Sequence, residues 1–284
     1  MNPLISICIP TCNGATFIEE AMISAINQTY KNIEIIVSDD GSKDETLKIV
    51  NSFISNTRVP IKIYNHDANG IGANWNNTVK KASGEFIKFL FQDDVLAPTC
   101  VEKLVGTATQ EEEIGLVYCK REILYDKTNE GHLLWLNKYE SLHNHWEKLD
   151  VTINKVVSGR HYMWDYHLLD EPLNKIGEPT ATLISKVCFD KLGFFNESLK
   201  QALDIEYWYR IMRHFKIGFV DEELVSFRLH DKQASNLNQN NNLDEVSVVI
   251  SSVYRNYFSY LHPRLKLRKI VKAIRSRIIQ IFVR

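Results

Sequence analysis

Along the first 120 residues, apolar and polar positions fall into two alternating kinds of block. Apolar runs at 5–10, 33–37, 61–64 and 86–91, each interrupted by a single polar residue (Ser6, Glu34, Lys62 and Lys88), have strand length and the near-continuous hydrophobicity of strands covered on both faces. Between them apolar residues recur at helical spacing: Phe17, Ala21, Met22, Ala25 and Ile26 within 17–28, then segments at about 42–55 and 74–82. Ser42 and Glu45 have the spacing of a capping box opening the second helix, and Asn69-Gly-Ile-Gly72 reads as a plain turn. A helix closing over 104–110 and a fifth strand at 114–118 continue the rhythm. Strand and helix alternating over short links predict an α/β fold with a parallel sheet and right-handed crossovers.

After Lys120 the rhythm stops. Residues 121–176 are rich in aromatic residues and histidine without a clean period, and read as an insertion over one face, partly helical near 162–173. Regular pattern returns with a strand at 181–185, helices at 186–192 and 204–214, and a pair of short strands at 217–220 and 224–229. Residues 231–242 are polar and Asn-rich, a loop able to act as a lid, and 243–261 reads as a long helix. Pro263 separates that helix from the tail. There Leu267, Val271, Ile274, Ile278 and Ile281 form one helical stripe among Lys and Arg. Such a basic amphipathic helix suits an anionic membrane surface, the alternative being the protein's own acidic body. The predicted division is 1–120, then 121–236 with the insertion 121–176, then 237–284.

Chemistry gathers where the runs end. Thr11 follows the first strand, Asp39 and Asp40 the second, Asp93 and Asp94 the fourth. Open α/β sheets bind ligands in the crevice beyond such carboxyl ends. Adjacent carboxylates repel, and a divalent cation such as Mg²⁺ or Mn²⁺ makes the Asp93-Asp94 pair favourable; a turn capping the next helix is the alternative. Asp39 is expected to shape its turn. Asp40, followed by Gly41, is expected to face a ligand, where it can accept from a nucleobase N–H or a ribose hydroxyl. Asn74, Trp75 and Asn76 open the next helix, where they could touch the same ligand, Trp75 being equally suited to the core. Asp204 and Glu206 open the 204–214 helix, where the helix dipole favours carboxylates and where one beside a cleft can serve as a general base. His230, ending a strand before the polar loop, can ligate a metal, contact phosphate or be structural. Of Trp135, Tyr139, Trp146, Tyr162, Trp164 and Tyr166, at least half are expected in the core, and the others could stack on sugar rings.

Charge sharpens the division. Eight of the 34 basic residues lie in 264–284, with no acid, leaving 26 against all 35 acidic residues in the body. A body so acidic is not made for nucleic acid. Five scattered cysteines without a CxxC pair read as reduced, mostly buried thiols. No apolar run reaches spanning length and no basic segment leads a long apolar core at the N-terminus, so a cytoplasmic protein, peripheral at the inner face of the cell membrane, is expected.

Four motifs together resemble family 2 glycosyltransferases: Ile7-Cys-Ile-Pro-Thr-Cys-Asn13, Ile36-Val-Ser-Asp-Asp-Gly-Ser42, Ala82-Ser-Gly-Glu-Phe-Ile-Lys-Phe-Leu-Phe-Gln-Asp-Asp-Val-Leu-Ala-Pro98 and Asp204-Ile-Glu-Tyr-Trp-Tyr-Arg210. They stand in the family's order, and the resemblance covers 1 to about 120 and 177–236. It implies a GT-A fold: a Rossmann-like, mostly parallel sheet flanked by helices, with a C-terminal helical extension. Residues 1–120 would be the nucleotide-sugar-binding half and 121–236 the acceptor-binding half. The implied activity is inverting transfer from a UDP-, dTDP- or GDP-sugar to a hydroxyl of a glycan or lipid-linked acceptor, with Mg²⁺ or Mn²⁺, in cell-surface polysaccharide synthesis. By the family pattern Pro10, Thr11 and Asp40 would line the nucleoside, with Asn74 and Asp93 also on the donor. Asp93 and Asp94 would hold the metal, Asp94 directly, with His230 on metal or diphosphate. Asp204 would be the catalytic base and Glu178 would line the acceptor side.

The sequence departs from the pattern at three places. Phe91 stands where the first Asp of Asp-x-Asp-Asp is usual, Trp75 where an Arg is common, and Leu203 where a Glu usually precedes Asp204. Other classes fit less well. A haloacid-dehalogenase-like phosphatase lacks its nucleophile, because Ser38 stands there, and a nucleotidylyltransferase lacks its basic glycine-rich loop after the first strand. The remaining alternatives are non-catalytic sugar-nucleotide binding and a membrane-surface scaffold.

Overall fold

The apolar runs become the buried strands of one nine-stranded sheet. A computed structural model describes residues 2–147, 149–153, 155–230, 233 and 244–282, the side chains of 276–282 excepted. Strands β1 (Ile5–Thr11), β2 (Ile33–Asp39), β3 (Ile61–Asn65) and β4 (Phe86–Phe89) lie in the order β3-β2-β1-β4, all parallel. Helices α1 (Ile18–Ile26), α2 (Thr46–Ile54) and α3 (Ile71–Lys81) make the crossovers. Alternate residues of each strand serve opposite faces. Ile7 and Ile9 pack with Met22, Val37 and Leu104 on one side, while Cys8 packs with Ile36, Phe89 and Tyr207 on the other.

Beyond β4 the sheet is mixed. Short β5 (Val95–Leu96) leads to α4 (Cys100–Ala108) and the long β6 (Ile114–Leu124), which runs straight through the 120/121 boundary. The order continues β4-β8-β6-β9-β5, with β8 (Thr182–Ser185) antiparallel to both its neighbours. The expected pair of strands at 217–220 and 224–229 is one strand, β9 (Lys216–Arg228), parallel to β6. The acidic Asp221-Glu-Glu223 that looks like a turn sits exposed where the β6–β9 register slips, so the strand bulges and continues.

The insertion holds α5 (Glu130–Tyr139), β7 (Val156–Ser158) antiparallel to β9, and the short α6 (Gly159–Met163). The helix expected near 162–173 stops at Met163. Buried Asp165 accepts from the amides of Glu147 and His167, and buried Lys175 donates to the carbonyls of Asp170 and Pro172, which holds the segment in turns. Trp146 and Tyr162 are core, whereas Trp164 is exposed. Helices α7 (Lys186–Leu192) and α8 (Leu203–His214) fall where the pattern put them.

Three local expectations change. Ser42 donates to Asp39 and accepts from the amide of Asn13, so no capping box forms, and Asp44 instead accepts from the first amide of α2. The 69–72 turn is already the start of α3. The 243–261 helix is α9 (Glu245–Asn256) followed by a 3-10 turn, Phe258–Tyr260. Pro263 opens α10 (Pro263–Phe282), a position where a missing N–H costs nothing. The 231–242 loop lies outside the described residues apart from Gln233. No described helix is long and apolar enough to cross a membrane, and four of the five cysteines are buried, all of them free.

Candidate active site

The carboxyl ends of β2, β1 and β4 are adjacent, and a cavity of about 430 Å³ opens beyond them. Pro10, Thr11, Asp40, Asn74, Asp93, Glu178, Asp204 and His230 all line it. Eight of the nine candidate residues thus converge on one space. The ninth, Asp94, stands behind the wall.

On the β2 side, Asp39 builds the turn, accepting from the hydroxyls of Thr11 and Ser42 and from the amide of Ser42. Asp40 faces the cavity and accepts from the amides of Asn69 (3.1 Å) and Gly70 (3.2 Å), while His66 Nδ1 lies 3.0 Å from its Oδ1. Gly70 can offer its amide this way because its φ of +92° is open to glycine. The Asn-Gly-Ile-Gly turn therefore fixes Asp40. Asn74 donates to the Thr11 carbonyl at 3.1 Å, which leaves its Oδ1 buried and without a partner beside the cavity.

On the β4 side the two aspartates part company. Asp93 Oδ2 lies 2.9 Å from His230 Nε2, and the His230 ring packs on Phe17. Asp94 is 1% exposed, and its Oδ1 accepts from the amide of Arg228 (3.1 Å) while Oδ2 has no hydrogen-bond partner. Burial first, then the charge of Asp93, holds the Asp94 carboxyl well above the usual range. Arg228 also donates to the Asp93 carbonyl (3.0 Å) and to Glu20, tying the end of β9 to this turn.

Opposite stands Asp204 in the first turn of α8. It accepts from its neighbour's amide at Ile205 (2.7 Å) and from Asn174 Nδ2 (2.9 Å). Its pKa is pushed up to about 7, chiefly by burial, with the negative charge of Glu178 adding to it. Glu178 forms an ion pair with Arg121 Nε at 2.7 Å, off the hydrogen-bonding line. The guanidinium of Arg121 lies over the rings of Trp135 and Phe227 and donates to the carbonyls ending α5. A carboxyl titrating near neutral pH in a cleft is suited to moving a proton.

Sequence reasoning missed several partners. Asn174, Arg121 and Arg228 set the geometry of the named carboxylates, yet each does so from a distant part of the chain. Of the aromatic wall, Trp75 lies beside the cavity as its position at the helix start suggests, whereas Phe91 and Phe227 also line it and none of the six insertion aromatics does. Among the described residues no cluster of three or more His, Cys, Asp or Glu is arranged to hold a metal. Asp93 and His230 nevertheless present one carboxylate and one imidazole at the wall, and Mg²⁺-like ions complete their shell with phosphate oxygens and water. The pair fits a divalent ion shared with a ligand.

Solved structures place this architecture among transferases of the GT-A fold. A fragment of TarS from S. aureus, solved in complex with UDP-GlcNAc, overlays with a TM-score of 0.64 at 16% identity, covering 88% of this chain and 66% of that one. The mannosyltransferase PcManGT from Pyrobaculum calidifontis, solved with GDP-Man and Mn²⁺, gives 0.59 at 14% identity over 96% and 80%. The chain belongs to glycosyl transferase family 2, whose model matches residues 6–157. An uncharacterized glycosyltransferase of Rickettsia typhi is 33% identical over 84% of this chain and 68% of its own length. A longer one from Rickettsia felis is 30% identical, with only 38% of its length covered. Membership of this family supports glycosyltransferase activity.

Proposed function

We propose that this protein transfers a glycosyl group, with inversion, from a nucleotide-sugar to a hydroxyl of a glycan or lipid-linked acceptor, in the synthesis of a cell-surface polysaccharide. One observation carries the reading: Asp204, raised to about 7, lines the same cavity as Asp40 and the Asp93–His230 pair. UDP-GlcNAc and GDP-Man bound to the structural neighbours support a nucleotide-sugar donor. Residues 1–120 then form the donor half. Thr11, Asp40 and the orphaned Asn74 Oδ1 meet the nucleoside, with Pro10 beside them. Residues 121–236 form the acceptor half, with Glu178 toward the acceptor.

In this reading Asp204 takes the proton of the acceptor hydroxyl. The acceptor oxygen bonds to the anomeric carbon as the bond from that carbon to the diphosphate oxygen breaks, and the electron pair leaves with the nucleoside diphosphate. Attack opposite the leaving group inverts the centre. Asp93 and His230 would hold a Mg²⁺ or Mn²⁺ ion, which as a Lewis acid supplies charge neutralisation at the diphosphate. Asp94 is assigned a supporting part: buried and tied to Arg228, it fixes the strand end that carries His230.

The test is thermal stabilisation by UDP-, dTDP- and GDP-sugars with and without Mn²⁺, since a ligand of the native state raises its melting temperature. A metal-dependent rise with one nucleotide class is expected. No rise with any of them would end the reading.

A further inference from the structure

Helix α10 is held to the body on one side and bare on the other. Leu265 is 1% exposed, and its carbonyl accepts from the Tyr254 hydroxyl at 3.3 Å. Arg268 pairs with Asp170 at 2.6 Å, and the ammonium of Lys269 lies over the Tyr254 ring at 5.1 Å. At about 100° per residue these three positions fall within an arc of roughly 100°. Leu267, Ile270, Val271 and Ile274 fall roughly 140–240° round the helix from Leu265. They are between 39% and 61% exposed. The sequence continues the stripe with Ile278 and Ile281. Leu267, Ile270, Val271 and Ile274 therefore point away from the protein that carries them.

Three occupants could cover this face. The protein's own body is on the opposite side. A second copy is disfavoured although the spacing is that of a coiled-coil seam. The flanking positions hold Arg268, Arg275 and Arg277, which meet like charges in either orientation of a self-pair, and two heptads fall short of the three or four that sustain a coiled coil. An anionic lipid surface matches both features, because 264–284 carries eight basic residues and no acid around the apolar stripe. Beside the stripe, Lys266 lies over the rings of Trp164 (5.8 Å) and Phe258 (5.9 Å), which are themselves 50% and 38% exposed. Exposed aromatics next to a basic amphipathic helix suit the head-group level of a bilayer.

We infer that the outward stripe of α10, with Trp164 and Phe258 at its base, is a docking face for an anionic bilayer, on which the helix lies flat. Leu265 and Arg268 pre-orient it, so docking uses a face already set by the fold. The docking face rests on the tail and its surroundings alone and does not depend on the donor-site chemistry.

The experiment uses the full chain with phosphatidylcholine vesicles, with and without phosphatidylglycerol. Co-sedimentation with the anionic vesicles should exceed that with neutral ones by about tenfold or more and weaken at high salt. The triple variant Leu267→Glu, Val271→Glu, Ile274→Glu should lose it, while its melting temperature and its stabilisation by nucleotide-sugar stay unchanged. Lys266→Gln with Arg275→Gln should weaken binding with the fold again intact. The Trp fluorescence shift on adding vesicles should shrink in Trp164→Phe. Equal sedimentation with neutral and anionic vesicles, or undiminished sedimentation of the triple variant, would overturn the inference. So would a dimer by light scattering that the triple variant dissolves in the absence of any vesicle binding.

Discussion

His230 Nε2 lies 2.9 Å from Asp93 Oδ2, a contact between residues 137 apart in the chain. The two side chains meet because Asp94 and Arg228 join the β4 turn to the end of β9. If the pair holds a divalent ion shared with a diphosphate, His230→Ala should lower nucleotide affinity about tenfold or more in Mn²⁺ and leave metal-free affinity unchanged. Calorimetric titration of UDP with and without Mn²⁺ reads both. Equal losses in the two conditions would remove the metal from the assignment.

Asp204 faces the cavity with one partner on each carboxylate oxygen, Ile205 and Asn174. Asp204→Asn keeps the shape and removes the base. Its kcat should fall by roughly 10²–10⁴, the range of a general base, while donor affinity stays within a few-fold. Asn174→Ala should give a smaller loss of kcat with a shifted pH profile, because it frees the carboxylate without deleting it. Normal turnover by Asp204→Asn would move the base elsewhere.

The raised pKa of Asp204 fixes two signs. Catalysis needs the ionised base, so kcat should rise as pH passes through about 7. Stability runs the other way. The native state keeps a proton that an unfolded aspartate has already lost near pH 4, so the stabilising contribution is full below pH 4 and is lost as pH rises through about 7. Buried Asp94, also raised, acts in the same direction. Asp204→Asn should therefore flatten part of the fall in stability between pH 4 and 7, by on the order of a few kcal/mol at the upper end. Denaturant titrations at a series of pH values measure it, and an unchanged slope would refute the burial argument.

Much of this site is legible in the chain because strands covered on both faces write near-continuous apolar runs, and the groups just past those runs must project into the crevice. Thr11, Asp40 and Asp93 follow from that rule alone. Choosing between Asp93 and Asp94 does not, since neighbours leave a strand toward opposite sides and only the packing says which side is solvent. Strand β9 was hidden because three successive acids look like a turn until a parallel neighbour, β6, is present to carry a bulge. Arg121, Asn174 and Arg228 were illegible for a related reason: each is an ordinary polar residue until folding sets it beside a carboxylate from another part of the sequence. Asp165 and Lys175 likewise satisfy backbone groups no local pattern identifies.

Two departures from the family pattern touch each other. Trp75 and Phe91 stack with centroids 5.0 Å apart at 26°, on the cavity wall, and Phe195 meets Trp75 edge-on. Where an arginine and an aspartate are usual, this chain has two aromatic rings stacked on each other. Trp75→Ala should destabilise by about 2 kcal/mol, half-buried aromatics costing less than core ones. A double-mutant cycle with Phe91→Ala should return a coupling of about 0.5–1.5 kcal/mol. Additive losses would mean the stack carries no energy of its own.

Cys12 offers a direct probe of where the nucleotide sits. It is exposed and lines the cavity with Thr11 and Asp40, whereas Cys8, Cys100, Cys119 and Cys188 are buried, so a thiol reagent should modify one site in the native protein. Partial burial, then the charges of Asp40, Asp39 and Asp44, holds its thiol above the ordinary range. The thiolate is the nucleophile, so alkylation should be slow at pH 7 and accelerate as pH rises. A nucleotide-sugar bound over Thr11 and Asp40 covers the sulfur, and saturating donor with Mn²⁺ should slow alkylation about tenfold or more, by the fraction of time the site stands open. Mass spectrometry locates the adduct. Undiminished labelling of Cys12 by a protein that the same donor demonstrably stabilises would put the nucleotide somewhere other than the carboxyl end of β1.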